Sequence, residues 1–280
     1  MVYHRGHHCH VFTDCGHIQG YADDTIHFVE ANSEEEAKFK LEQQAKNIFD
    51  YFASNELVAN PSKTAFLMFR PGKSNGAPSS VRIDNTEIQE SRSERILGIQ
   101  VQSSLLWDDH ISKVTSKVNY GLATVRQLRG LMTKKALTMI AEGIVLSHIC
   151  YGISVYLNEG VRMNESDSTN KNMQKLQVKQ NDCMRLILNK NRKDLVTKEE
   201  LLQGCNFTSV NHMAASATLM EVWRAFKFNI KSITSEFNFN QSQRHGCSLR
   251  PSTDPKSFIS KSSKLWNRLN KDTHTKLKSP

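Results

Sequence analysis

Tyr21-Ala22-Asp23-Asp24-Thr25 sets two adjacent carboxylates between apolar-leaning segments, His17-Ile18 before and Ile26-His27-Phe28-Val29 after. Aspartate is a turn former, because its short side chain bonds to nearby backbone and tolerates left-handed geometry. The pattern therefore predicts a β-hairpin whose tip offers hard oxygen ligands of the kind a divalent cation takes.

Downstream, Ser33-Glu34-Glu35-Glu36 reads as a capping box with Ser33 as N-cap, and its three glutamates lie where a helix dipole favours negative charge. The spacing of Leu41, Ala45, Ile48 and Phe52 predicts an amphipathic helix ending near Asn55. Asn60-Pro61-Ser62-Lys63-Thr64 breaks it and leads into Ala65-Phe66-Leu67-Met68-Phe69, a short apolar strand. Val81-Arg82-Ile83 and Thr86-Glu87-Ile88 flank the two-residue loop Asp84-Asn85, a hairpin signal. Ile96 to Val101 is read as one further strand containing Gly98.

No proline occurs between Pro78 and Pro251, so long helices are permitted there. Asp108 or Asp109 is the expected N-cap of a helix with the stripe Ile111, Val114, Val118, Leu122, Val125 and Leu128. A second helix is expected from Leu137 through Leu157, with His148 at a core or boundary position. Its apolar run is interrupted by charge and falls short of the roughly 18 residues that a membrane span needs. A third helix buries Met173, Leu176, Gln180, Cys183 and Ile187, with Lys171, Lys175 and Lys179 on its other side. Residues 159–170 and 235–256 read as polar loops, and Trp266 as a core residue of a short helix.

Charge is unevenly spread: residues 1–100 hold 10 Lys+Arg against 14 Asp+Glu, net −4, and residues 101–280 hold 27 against 14, net +13. So basic a half suits a polyanion, although a lysine ridge is also a common solvated face. The six cysteines lack paired spacing, which favours reduced thiols, and the first twenty residues hold no signal-peptide core. An intracellular protein is expected. His4, His7, His8, Cys9, His10, Cys15 and His17 offer nitrogen and sulfur ligands, yet their spacing is not that of a structural zinc site.

The Tyr-Ala-Asp-Asp hairpin resembles the palm hairpin of reverse transcriptases of non-LTR (LINE, jockey-like) retrotransposons. Asn60-Pro61-Ser62-Lys63-Thr64 resembles that family's Asn-x-x-Lys-Thr segment, and Leu97-Gly98-Ile99 its Leu-Gly strand. Leu176-Gln177-Val178-Lys179-Gln180 with Arg185 and Ile187 looks like a helix that follows the family's thumb, and Leu265-Trp266-Asn267-Arg268-Leu269 like a recurring C-terminal piece. The resemblance runs from about residue 16 to 270, on short motifs that occur in the family's order.

The resemblance implies an α+β fold: a partial antiparallel palm sheet with one packed helix over 1–104, an all-α thumb over 105–158, and a helical C-terminal region over 168–280. It implies RNA-templated addition of dNTPs to a primer 3′ hydroxyl, with two Mg²⁺ ions about 3.5–4 Å apart. Asp23 and Asp24 are the implied metal ligands, Asp23 the more direct, and Lys63 assists the leaving pyrophosphate. Tyr21, Gly98, Lys113, Lys117, Lys171, Lys175 and Lys179 are the implied contacts to RNA template, DNA primer or their duplex. Gly98 would let a nucleic-acid backbone approach closely, or is a simple bulge glycine. Cytoplasm and nucleus are the implied locations, and no membrane is expected.

In the family a further catalytic aspartate lies on a palm strand well before the hairpin; here Asp14 is the only earlier acid. The expectation is thus the carboxy-terminal half of such an enzyme, inactive alone, with palm strands near Tyr21, Phe66 and Ile99 prone to self-association. A non-catalytic nucleic-acid-binding protein and a decayed reading frame are the alternatives.

Overall fold

The computed structural model describes residues 17–22, 24–57, 63–70, 78–83, 86–157, 170–239, 248–253 and 257–268. Asp23, Asn60 to Ser62, the Asp84-Asn85 tip and the His/Cys-rich segment before His17 lie outside them. The chain divides into two compact units, Met1–Leu106 and Trp107–Pro280. Strands and one helix make up the first, and helices dominate the second, an α+β protein with small sheets.

The first unit begins with the hairpin β1 (His17–Tyr21) and β2 (Asp24–Phe28), followed by α1 (Glu34–Ser54). Ser33 caps α1 by accepting from the Glu36 N–H, while the Glu36 carboxylate takes the Asn32 N–H, one residue before the N-cap. The helix stops at the C-cap Asn55. Its buried residues are Gln44, Ala45 and Ile48, with Leu41 and Phe49 packed on the core.

Beyond it come β3 (Phe66–Leu67), β4 (Ser80–Ile83) and β5 (Thr86–Ser91), then β6 (Ser93–Ile96) and β7 (Ile99–Gln102). The palm sheet expected as one antiparallel body is three separate pieces: β1-β2, β3-β5-β4 and β6-β7. Within the middle piece β3 runs parallel to β5 and β4 antiparallel to it. The strand expected over Ile96–Val101 is instead two strands. Leu97 (φ 46°) and Gly98 (φ 86°) both turn left-handed, and Ile96 pairs back onto Ile99. Two consecutive positive φ values make the tight turn that matches strand twist, so Gly98 is a turn glycine and not a bulge.

The second unit opens with α2 (Asp108–Leu128). Its N-cap is Trp107, not Asp108 or Asp109; both aspartates lie in the first turn, where they face the dipole rather than cap it. The expected Leu137–Leu157 helix is broken into α3 (Lys134–Ala141), a π turn (Glu142–Leu146), α4 (Ser147–Cys150) and α5 (Ile153–Tyr156). Gly152 causes the last break by adopting φ 65°, which glycine takes at no steric cost. The π turn packs against α2 at Gly121. A Cβ on Gly121 would stand 2.5 Å from the Ile144 carbonyl oxygen, so only glycine lets these backbones meet.

The remaining elements are α6 (Lys171–Ile187), α7 (Lys198–Cys205), α8 (Val210–Lys227), α9 (Lys231–Thr234), β8 (Asn238–Phe239), β9 (Leu249–Arg250) and α10 (Phe258–Asn267). The helices on both sides of 158–169 share one core, in which Val118, Val125 and Ile149 meet Leu176, Cys183 and Val210. Residues 105–158 and 168–280 are thus not separately cored. The segment read as a loop over 235–256 contains the β8–β9 pair, and its Phe237 and Leu249 join Val222 and Trp266 in a second small core.

Candidate metal hairpin and nucleic-acid interface

The β1–β2 register is continuous from His17↔Phe28 to Tyr21↔Asp24, leaving Ala22 and Asp23 as the tip. Ala22 has φ 52°, a left-handed value that an alanine adopts only where the turn demands it. Residues opposite each other share a face, so Tyr21, Asp24 and Ile26 lie on one side of the ribbon and Ile18 and His27 on the other. His27 is fixed to α1, its Nε2 bonded to Gln44 Oε1, and burial holds its pKa below the usual imidazole value. Asp24 consequently lies on the face turned away from that contact. Tyr21 is 65% exposed beside it.

Asp24 is an exposed, hard oxygen donor and fits one coordination position of a magnesium ion. Asp23 lies outside the described residues, and among those described no group of three His, Cys, Asp or Glu could hold a metal ion. Lys63 is exposed three residues before β3, which belongs to a different sheet from the hairpin. Gly98 occupies the β6–β7 tip. Asp24 and Gly98 therefore lie on two separate hairpins of the first unit, and Lys63 leads into a third sheet.

In the second unit, burial of one stripe of α2 leaves Lys113, Lys117, Tyr120 and Arg126 exposed, with Tyr120 80% accessible. No acid follows Asp109 on this helix. His110, buried at its start between the Trp107 and Tyr156 rings, has its pKa lowered by burial and then by the charges of Lys117 and Lys113. On α6, Lys171 and Lys175 are exposed and Lys179 is half-buried.

Several motif residues have structural tasks that sequence reasoning did not assign. Gln180, fully buried, donates to the Thr208 carbonyl (2.7 Å), and Gln177 accepts from the Val210 N–H (2.9 Å), so α6 completes the start of α8. Arg185 donates to the carbonyls of Asn191 (2.7 Å) and Asp194 (3.2 Å) and holds the α6–α7 loop. Asn267 bonds both backbone groups of Leu249 at 2.7 Å, acting as one residue of an added strand. Trp266, by contrast, is the core residue of a short helix that the sequence led one to expect, and it packs on Phe226 at 5.9 Å between ring centroids.

Also unforeseen is a cluster around Arg70, whose guanidinium grips Glu90 (2.6 and 2.8 Å) and Glu34 (3.0 and 3.1 Å) with two forks. Arg70 draws both carboxyls below their ordinary value, Glu34 to about 2. Nothing local marks this triad in the sequence, because its members are 36 and 20 residues apart.

No known protein family, curated protein or solved structure matches this chain.

Proposed function

We propose that the chain is part of an RNA-directed DNA polymerase of the non-LTR retrotransposon type, comprising its metal hairpin and its nucleic-acid-gripping helices. The observation that carries this reading is the Tyr21↔Asp24 closing pair, which mounts the Tyr-Ala-Asp-Asp tip on a two-stranded ribbon with Asp24 away from α1. Magnesium bound there would supply charge neutralisation for the primer hydroxyl and the leaving pyrophosphate. Asp23 and Asp24 would hold it, Tyr21 would contact the primer, and Lys63 would donate a proton to pyrophosphate.

Two carboxylates on one tip do not bridge two divalent ions without a third ligand, so this polypeptide alone is not expected to extend a primer. Manganese titration followed by NMR tests the hairpin directly. The Tyr21, Ala22 and Asp24 amides should broaden selectively, and Asp23→Asn with Asp24→Asn should abolish the effect. Uniform broadening, or none, removes the metal assignment. Robust primer extension on an RNA template, lost in Asp23→Ala, would show instead that the chain is self-sufficient.

A non-catalytic nucleic-acid-binding role is the second reading, favoured by the acid-free, exposed face of α2 that carries Lys113, Lys117 and Tyr120. Cations with an interleaved aromatic suit a phosphate backbone. Both readings require salt-sensitive binding of an RNA–DNA duplex; only the first requires the metal response.

A further inference from the structure

Along α6 the exposed positions fall on a line. At 100° per residue, Lys175 is offset from Lys171 by about 40°, Val178 by about −20° and residue 182 by about 20°, so position 182 lies nearly straight below Lys171. Lys179, at about 80°, drifts toward the buried side, in keeping with its half-burial. Read from sequence, the line ends in an acid, Asp182, which would repel the phosphates that the lysines attract. The structure cancels that charge. Arg192 returns from the α6–α7 loop and donates through Nη2 to Asp182 Oδ2 at 2.7 Å. Arg192 is 81% exposed and Asp182 only 18%, so the guanidinium covers the carboxylate and presents its remaining donors outward.

The loop that delivers Arg192 is internally fixed. Arg185 collects the Asn191 and Asp194 carbonyls, and the Asp194 carboxylate accepts from the Asn191 N–H at 2.8 Å. Arg192 therefore stands on a short, doubly tied segment and is pinned at its tip by Asp182. An exposed ion pair of this kind adds little to stability, which leaves orientation as its effect.

We infer that Arg192, positioned by Asp182, extends the Lys171–Lys175 ridge into a single track for one strand's phosphodiester backbone, about 17 Å long at 1.5 Å per residue. The inference rests on the nucleic-acid-binding reading above. It adds a cation that lies outside α6 in sequence, and it gives an acidic residue a positive role in holding a polyanion. Arginine suits the position because its fork can bond Asp182 and a phosphate oxygen at once, which a lysine ammonium does less specifically.

The test is salt-dependent binding of the full chain to a labelled RNA–DNA duplex, read by fluorescence anisotropy. Arg192→Gln should lower the slope of log affinity against log salt by about 0.9, one phosphate contact. Asp182→Asn raises the net charge by one, so the overall field alone predicts tighter binding; the track predicts a weaker complex with the same loss of slope. The double variant should be no worse than either single one, as expected for residues acting as a unit. Tighter binding by Asp182→Asn, or an unchanged slope in Arg192→Gln while the unmodified chain binds, overturns the track and leaves nucleic-acid binding standing. Absence of salt-dependent binding by the unmodified chain overturns both.

Discussion

Among the described residues of 107–280 neighbouring helices are joined through apolar side chains: 23 buried residues, from Ile111 to Ala214, form one continuous core. Among the described residues of 1–106 the comparable cluster has six, and α1, which contributes Ala45 to it, is also joined to its surroundings by polar side chains. Gln44 takes the hairpin through His27, Glu42 accepts from the Arg82 N–H on the edge strand β4 (2.7 Å), and Glu34 shares Arg70 with Glu90. The contrast teaches where each unit is vulnerable. An apolar core fails when volume is removed, whereas a polar clamp fails when its charges are neutralised.

The largest effect should come from Leu176→Ala in the second unit. The side chain is fully buried where α2 and α6 meet, so its loss should cost about 3–5 kcal/mol in chemical denaturation. Amide exchange in the β1–β2 hairpin should be unchanged. A parallel loss of protection there would mean that the two units unfold as one.

Acid should separate the units next. Arg70 depresses both Glu34 and Glu90, so their contribution is present above about pH 4.5 and is lost as pH falls through their lowered folded values. His27 and His110 are both lowered by burial, so each unit already loses some stability as pH drops below about 6.5, where the unfolded chain takes the proton first. The difference between units should therefore emerge only below about pH 4.5. Arg70→Ala should cost the first unit about 2 kcal/mol, discounted because Glu34 is partly solvated, and should flatten that acid limb. An acid limb that survives Arg70→Ala would assign it to other carboxylates.

Gly121→Ala is expected to destabilise the second unit by about 1–2 kcal/mol, although alanine is the better helix former, because its Cβ meets the Ile144 carbonyl. Stabilisation would mean that the π turn relaxes freely. Smallest is Gly98→Ala at the β6–β7 tip, about 1 kcal/mol, with Gly98→Asn costing less because asparagine tolerates the left-handed region. Faster exchange confined to Ile96 and Ile99 would confirm that this hairpin opens by itself.

Local signals in the sequence were enough for the capped start of α1, for the α2 stripe from Ile111 to Val125, and for the buried side of α6. Each depends on residues within a few turns of one another, where periodicity and capping act directly. The same holds for the Tyr21–Asp24 ribbon, set by a two-residue turn. Signals of that range did not place the breaks at Gly98 and Gly152: a lone glycine fits a bulge, a turn or a helix end, and the pairing or packing around it selects one.

The tertiary structure alone decided which polar residues act together. Arg70 with Glu34 and Glu90, Gln177 with Val210, Asn267 with Leu249, and Arg192 with Asp182 are joined across 10 to 36 residues of chain. Composition fixed the sign of the second half as basic. Whether the line of α6 ends in a carboxylate or a guanidinium was set by a loop folding back, since a charge's effect depends on what lies within a few ångströms rather than on its place in the sequence.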